Sequence, residues 1–217
     1  MEKALQERTC LIFDFDGTLV DSMWIWEELD LELLHSFGKE PDDYARKMIP
    51  TMNIKEASRF FAEYFQIPKT PEEICLMIEE KAEDFYQNRV QLKPHAREFL
   101  EMLKKQGKHM CIATSSARSY VESFVNANGL GGYFDFLIAA GDVTKGKTEP
   151  EIYDKCLAQF GCEKGDAIVF EDALYAIETA KKAGYFVCAV EDDLETDKME
   201  QIEKIADAKI VGFSHLL

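Results

Sequence analysis

"LIFDFDGTLVDS", residues 11–22, is the stretch from which the fold is read. Three apolar residues lead into Asp14 and Asp16, one residue apart, with Gly17 directly behind them. Extended back to Arg8, the run "RTCLIFDFD" (8–16) is nearly continuous in its hydrophobicity, as expected for a strand covered on both faces. Carboxylates as close as Asp14 and Asp16 repel strongly in a partly dry site unless a cation sits among them.

Four more runs of this kind follow residue 90: "KHMCIAT" (108–114), "FDFLIAA" (134–140), "DAIVFED" (166–172) and "YFVCAV" (185–190). Stretches of helical period separate them, and that alternation is the signature of a parallel sheet with crossover helices. Between residues 20 and 90 no strand-like run occurs. "WIWEELDLELLHSFG" (24–38), "NIKEASRFFAEYF" (53–65) and "TPEEICLMIEEKAEDFYQN" (70–88) read as amphipathic helices. The last opens on Thr70, Pro71 and Glu73, a capping box with Pro at the first helical position. The sequence thus predicts an α/β core over residues 1–19 and 91–217, with an all-helical insert over 20–90. Hinges are expected near "LVDS" (19–22) and "VQLKP" (90–94), where Pro94 fixes the re-entry into the sheet.

Composition excludes several classes of function. At 217 residues the chain can bury a substantial core without a disulfide or metal staple. A net charge of −16 argues against nucleic acid as a partner, because that binding relies on clustered Lys and Arg that release counterions. The six cysteines form no CxxC and read as small thiols of a reducing compartment. His35, His95, His109 and His215 are scattered, so an imidazole or thiolate metal site is not supported. "MEKALQERT" at residues 1–9 has no apolar leader core, and no run reaches the length of a membrane span. A cytoplasmic protein without membrane contact is expected, and oligomeric state leaves no signal.

Ligands of open parallel sheets bind beyond the carboxyl ends of the strands. The residues found there are Asp14 and Asp16, Thr114 and Ser115, the loop "TKGKTEP" (144–150), and Glu171 with Asp172. If the first and fourth runs are neighbours, Asp14, Asp16, Glu171 and Asp172 meet at one sheet edge and need a cation among them. Mg2+ suits oxygen ligands, keeps several waters and commonly binds through carboxylates plus a substrate phosphate. An Asp can then form an aspartyl-phosphate, while a second carboxyl group protonates the leaving alcohol and later activates water. Lys147 and the Thr114 hydroxyl would hold the equatorial phosphate oxygens, with Lys145 a competitor for the lysine's role. Gly17 lets the backbone turn close to the ligand.

"DFDGTLVDS" (14–22) resembles the first motif of the haloacid dehalogenase superfamily of phosphotransferases, Asp-x-Asp-x-Thr after a strand. "CIATS" (111–115) is similar to its second motif, "GKTEPEIY" (146–153) to its third, and "IVFEDALYAIETAKKAG" (168–184) to its fourth. The order and spacing match over nearly the whole chain. The resemblance implies a Rossmann-like core with a helical cap that opens for substrate and closes to exclude water. It implies Asp14 as nucleophile and Mg2+ ligand, and Asp16 as general acid/base whose backbone carbonyl also reaches the metal. Asp172 would bind Mg2+ directly and Glu171 directly or through an intermediary. Thr114 and the Ser115 backbone N–H would bind phosphate, and Lys147 would pair with both phosphate and Asp14. The implied partner is a small phosphorylated metabolite.

Departures from the pattern sharpen the reading. Thr148 follows Lys147 where the third motif commonly has Pro, and with Glu151 three residues on, Thr148 is expected to cap the next helix. Ala173 and Ala176 stand where the fourth motif usually has Ser and Gly, which removes a hydroxyl near the metal. The related dehalogenases replace the second Asp of the first motif, but here Asp16 is present. Mutases of the β-phosphoglucomutase type generally carry a His on the first cap helix, at the position of Trp26, and a cap loop with a Lys-Gly pair where this chain has "ARKMIP" (45–50). Phosphomonoester hydrolysis therefore ranks first, sugar-phosphate mutase second, and a non-catalytic phosphometabolite-binding module third.

Overall fold

Within the run at 8–16, Cys10–Phe13 forms strand β1, every residue of it buried. The computed structural model describes residues 1–217. The other strands are β2 (Val20–Asp21), β3 (Gln91–Leu92), β4 (His109–Ala113), β5 (Phe136–Ile138), β6 (Ala167–Glu171), β7 (Phe186–Val190) and β8 (Ala208–Ile210). The helices are α1 (Glu2–Glu7), α2 (Ile25–Ser36), α3 (Asp43–Met48), α4 (Ile54–Tyr64), α5 (Pro71–Asn88), α6 (Ala96–Lys105), α7 (Arg118–Ala127), α8 (Glu151–Phe160), α9 (Leu174–Lys182) and α10 (Met199–Ile205). The chain divides into two units, Met1–Met23 with Val90–Leu217, and Trp24–Arg89.

In the first unit six strands form one parallel sheet in the order β5-β4-β1-β6-β7-β8. From β1 the chain builds outward through β4 and β5, then returns to add β6, β7 and β8 on the other side. The winding direction therefore reverses at β1, and the crevice that such a reversal opens lies past the carboxyl ends of β1, β4 and β6. Phe13 is paired with Ile112 on one side and Phe170 on the other. Its ring stacks on Phe170 at 4.5 Å and meets Phe99 edge-on at 6.3 Å. Ile12, Cys111 and Val169 share a second core cluster with Ile152, Tyr153 and Ile177. Both faces of β1 are thus covered, which is why its sequence reads as one apolar run.

Two features of the strands differ from the sequence expectation. β8 is a sixth strand whose three residues, Ala208, Lys209 and Ile210, are too few and too mixed to show a period. Val20 and Asp21 pair antiparallel with Leu92 and Gln91, so the segment from residue 20 is not free of strand. That ribbon also explains why residues 20–23 group with the sheet rather than with the helices that follow.

The second unit is all helical. Thr70 and Glu73 form the expected capping box at α5, with Pro71 in its first turn, and Asn53 and Glu56 form another at α4. α3, absent from the sequence expectation, is capped by Asp42, whose carboxylate accepts from the Ala45 N–H at 2.8 Å. Arg89 pairs with Glu28 and Glu32 and lies 4.1 Å over the Phe85 ring, while Lys81 also binds Glu32. No helix is long and apolar enough to cross a membrane. All six cysteines are free, and Cys10, Cys111, Cys156 and Cys188 are buried.

Candidate active site

The Asp14 N–H donates to the Phe170 carbonyl at 2.9 Å, so the ladder continues one residue past β1 and fixes Asp14 at the strand end. The chain then turns back at once: Leu19 and Val20 N–H donate to the Phe15 carbonyl at 2.9 and 3.1 Å. Gly17 sits at the apex with φ +72°, and a Cβ there would lie 2.4 Å from Asp172 Oδ2. Only glycine permits both the left-handed backbone and this approach of the two loops. The neighbouring Thr18 hydroxyl donates to Asp172 Oδ1 at 2.7 Å, fixing that carboxylate against the first loop.

Lys147 reaches the same place from the loop before α8. Its Nζ lies 2.5 Å from Asp14 Oδ1 and 2.6 Å from Glu171 Oε1, and the side chain is buried. Lys145 instead faces Glu149 at 3.6 Å and is exposed, so it does not compete. Thr148 does not cap α8, contrary to expectation. Pro150 occupies the capping position, and the Glu151 carboxylate turns back to accept from the Thr144 hydroxyl at 2.8 Å and the Lys145 N–H at 3.1 Å. Closure of the loop by Glu151 presents Lys147 in place of a Thr148 cap.

Glu171 is fully buried with both oxygens engaged. Oε1 accepts from Lys147 and, at 3.3 Å, from the Tyr153 hydroxyl; Oε2 accepts from the Asp172 and Ala173 N–H groups at 2.9 and 3.1 Å. One ligand oxygen each from Asp14, Glu171 and Asp172 fall within 4.8 Å of one another. Three carboxylates therefore share a single ammonium. Burial, and then the Glu171 charge, push Asp14 up to about 8 despite the pull of Lys147. Burial followed by Glu171 and Asp14 likewise raise Asp172 well above the carboxylate range. Burial alone would lower Lys147, but Asp14 and Glu171 outweigh it and hold the ammonium above the ordinary lysine value. Uncompensated negative charge among oxygen donors, with no sulfur or imidazole in the set, fits a hard divalent cation.

Asp16 stands apart from this cluster. Its Oδ1 accepts from the Ser22 hydroxyl at 2.6 Å and its Oδ2 from the Ser116 hydroxyl at 2.5 Å. Thr114 is buried at the end of β4, where its hydroxyl accepts from the Ser116 N–H at 3.0 Å. Ser115 is exposed, and its hydroxyl contacts Tyr175. The structure thus brings Asp14, Lys147, Glu171 and Asp172 together, and joins Asp16 to Thr114 through Ser116. The sequence reading missed the roles of Thr18, Ser22, Ser116 and Tyr153. All four lie inside or beside the quoted motifs, but an uncharged hydroxyl gives no sign of what it will face.

A family model described as haloacid dehalogenase-like hydrolase matches residues 11–190. Validoxylamine A 7'-phosphate phosphatase of Streptomyces hygroscopicus subsp. limoneus is 31% identical over 81% of this chain and 82% of that protein. Phosphorylated carbohydrates phosphatase of Thermotoga maritima is 27% identical over 80% of this chain and 81% of that protein. Among solved structures, a candidate beta-phosphoglucomutase from Thermotoga maritima superimposes with a TM-score of 0.82 at 26% identity, covering 93% of this chain and 94% of that one.

Proposed function

Because this chain belongs to the haloacid dehalogenase-like hydrolases, we propose that it is a Mg2+-dependent phosphomonoester hydrolase that releases phosphate from a small phosphorylated metabolite through an aspartyl-phosphate on Asp14. The observation that carries this reading is the burial of Lys147 between Asp14 and Glu171, beside Asp172. A lysine so placed orients the Asp14 carboxylate and offers its remaining N–H to a phosphate oxygen.

In the first step an Asp14 oxygen attacks phosphorus and the bond to the leaving alcohol breaks, the alcohol taking its proton from Asp16. In the second step a water, giving a proton to Asp16, attacks the same phosphorus and frees Asp14. Thr114 and the Ser115 N–H hold phosphate oxygens. Asp14, Asp172 and the Asp16 carbonyl would hold Mg2+, which would supply charge neutralisation for the phosphoryl group. Glu171, with each oxygen already accepting two hydrogen bonds, serves to hold Lys147. We read Trp24–Arg89 as the helical cap of this family. A sugar or polyol phosphate is the substrate class that the names of the relatives favour, and six unpaired cysteines support a cytoplasmic location.

The test is release of phosphate from a panel of sugar, polyol and nucleotide monophosphates, with Mg2+ and with EDTA, by wild type and Asp14→Asn. Mg2+-dependent turnover by wild type alone, with a fluoroberyllate complex formed only by wild type, is expected. Failure of wild type on every ester overturns the reading. Isomerisation of a hexose 1-phosphate faster than its hydrolysis replaces hydrolase with mutase.

A further inference from the structure

We propose that Ser116 is a positioning residue for proton transfer, holding the Asp16 carboxyl group in register with the phosphate held at Thr114; the inference rests on the hydrolase reading above. Both oxygens of Asp16 accept hydroxyl hydrogen bonds, from Ser22 at 2.6 Å and from Ser116 at 2.5 Å. The carboxyl group is therefore gripped at both ends. Ser22 is a local partner six residues along the same turn and fully buried, whereas Ser116 comes from the loop after β4 and is partly exposed.

Ser116 is itself firmly placed. Its N–H donates to the Thr114 hydroxyl at 3.0 Å, and its carbonyl accepts from the Ala140 N–H at 3.4 Å. Two residues on, the Arg118 guanidinium ties the start of α7 to the Leu137 carbonyl at 3.1 Å and to Asp142 at 2.5 Å. One short segment thus spans the end of β4, where phosphate is to be held, and the group that carries the proton. A protonated carboxyl group keeps acceptor lone pairs, so the Ser116 hydroxyl can go on donating to Asp16 in both protonation states and leave the single proton free for the departing alcohol. Placement matters because proton transfer requires the donor within hydrogen-bond reach of the leaving oxygen.

The experiment compares kcat/KM for an alkyl phosphate, the best sugar or polyol phosphate of the panel, with kcat/KM for 4-nitrophenyl phosphate. This parameter covers steps up to release of the alcohol. The alkyl alcohol needs a proton to depart, but nitrophenolate does not. Ser116→Ala is expected to lower the alkyl value about 10- to 100-fold, part of the full effect of a general acid, and the nitrophenyl value by at most about threefold. Ser116→Thr, which restores a hydroxyl, should recover most of the loss, with all three proteins melting at similar temperatures. Equal losses on the two esters, no loss on either, or failure of Thr to recover the alkyl rate overturns the role of Ser116. Wild type inactive on both esters overturns the hydrolase reading itself, and this inference with it.

Discussion

The Lys147 ammonium lies 2.5 Å from the Asp14 carboxylate, and both are shielded from water. It is the cation that the three clustered carboxylates share. Lys147→Ala removes the partner that orients Asp14 and leaves the buried negative charge uncompensated. A fall in kcat/KM of about 10²- to 10³-fold is expected, in line with the loss of one preorganised charge donor. Lys147→Arg should restore little, because a planar guanidinium does not fit where a compact ammonium meets Asp14 and Glu171 under the Tyr153 hydroxyl. Steady-state kinetics on the best ester of the panel decide this, and near-normal turnover by the Arg protein would contradict it.

Asp14 carries a pH signature when divalent cations are removed. Its carboxyl is pushed from 3.8 to about 8, chiefly by burial, so the folded protein holds a proton there that the unfolded chain gives up. Stability from this group is complete below about pH 4 and is lost as pH rises through about 8. In EDTA, wild type should lose several kcal/mol of stability relative to Asp14→Asn across that window. Saturating Mg2+ at pH 8 should cancel the deficit, because it stabilises the ionised carboxylates. Thermal melts of both proteins at several pH values give the answer, and a difference that stays flat with pH is the negative result.

Gly17 tests how tightly the first loop is fitted to Asp172. Gly17→Ala sets a Cβ at 2.4 Å from Asp172 Oδ2 on a backbone with φ +72°. Gly38 has a similar φ of +66° but no neighbour within 4 Å, so Gly38→Ala isolates the backbone strain. Strain alone costs about 1 kcal/mol. Gly17→Ala should melt lower than Gly38→Ala and bind Mg2+ more weakly in calorimetric titration, because Asp172 must move. Equal Mg2+ affinity in the two variants would show that Asp172 is not part of the metal site.

Strand ends were the legible part of this site. β1, β4 beyond His109, and β6 up to Phe170 are buried apolar runs, and the polar residues that follow, Asp14, Thr114, and Glu171 with Asp172, mark the crevice. Lys147 lies in a loop, and its placement depends on Glu151 folding back onto Thr144 and Lys145, which no periodicity encodes. Its loop beyond the run at 134–140 made it a candidate beside Lys145, and similarity to a known motif favoured Lys147. The grip of Ser22 and Ser116 on Asp16 was invisible, since an uncharged hydroxyl does not signal its partner and Ser116 stands 100 positions from Asp16. β8 and the β2-β3 ribbon were missed because two or three residues cannot display a period.

Asp30 presents a half-buried carboxyl of a different kind. It lies in α2 of the helical unit, no ion pair or hydrogen bond engages its side chain, and burial alone pushes it up to about 7. Its folded value is raised, so its contribution to stability is present below about pH 4 and is lost as pH climbs through about 7. Asp30→Asn removes the charge while keeping the shape. The variant should match wild type near pH 4 and exceed it at pH 8, by on the order of 1 kcal/mol after allowance for the partial exposure of the group. A shift of about 2–4 °C in Tm is expected for a chain of this size. Because Asp30 belongs to neither the carboxylate cluster nor its lysine, this gain should persist in EDTA and in Mg2+ alike. A variant less stable than wild type at pH 8 would mean that the carboxylate has a stabilising partner in solution.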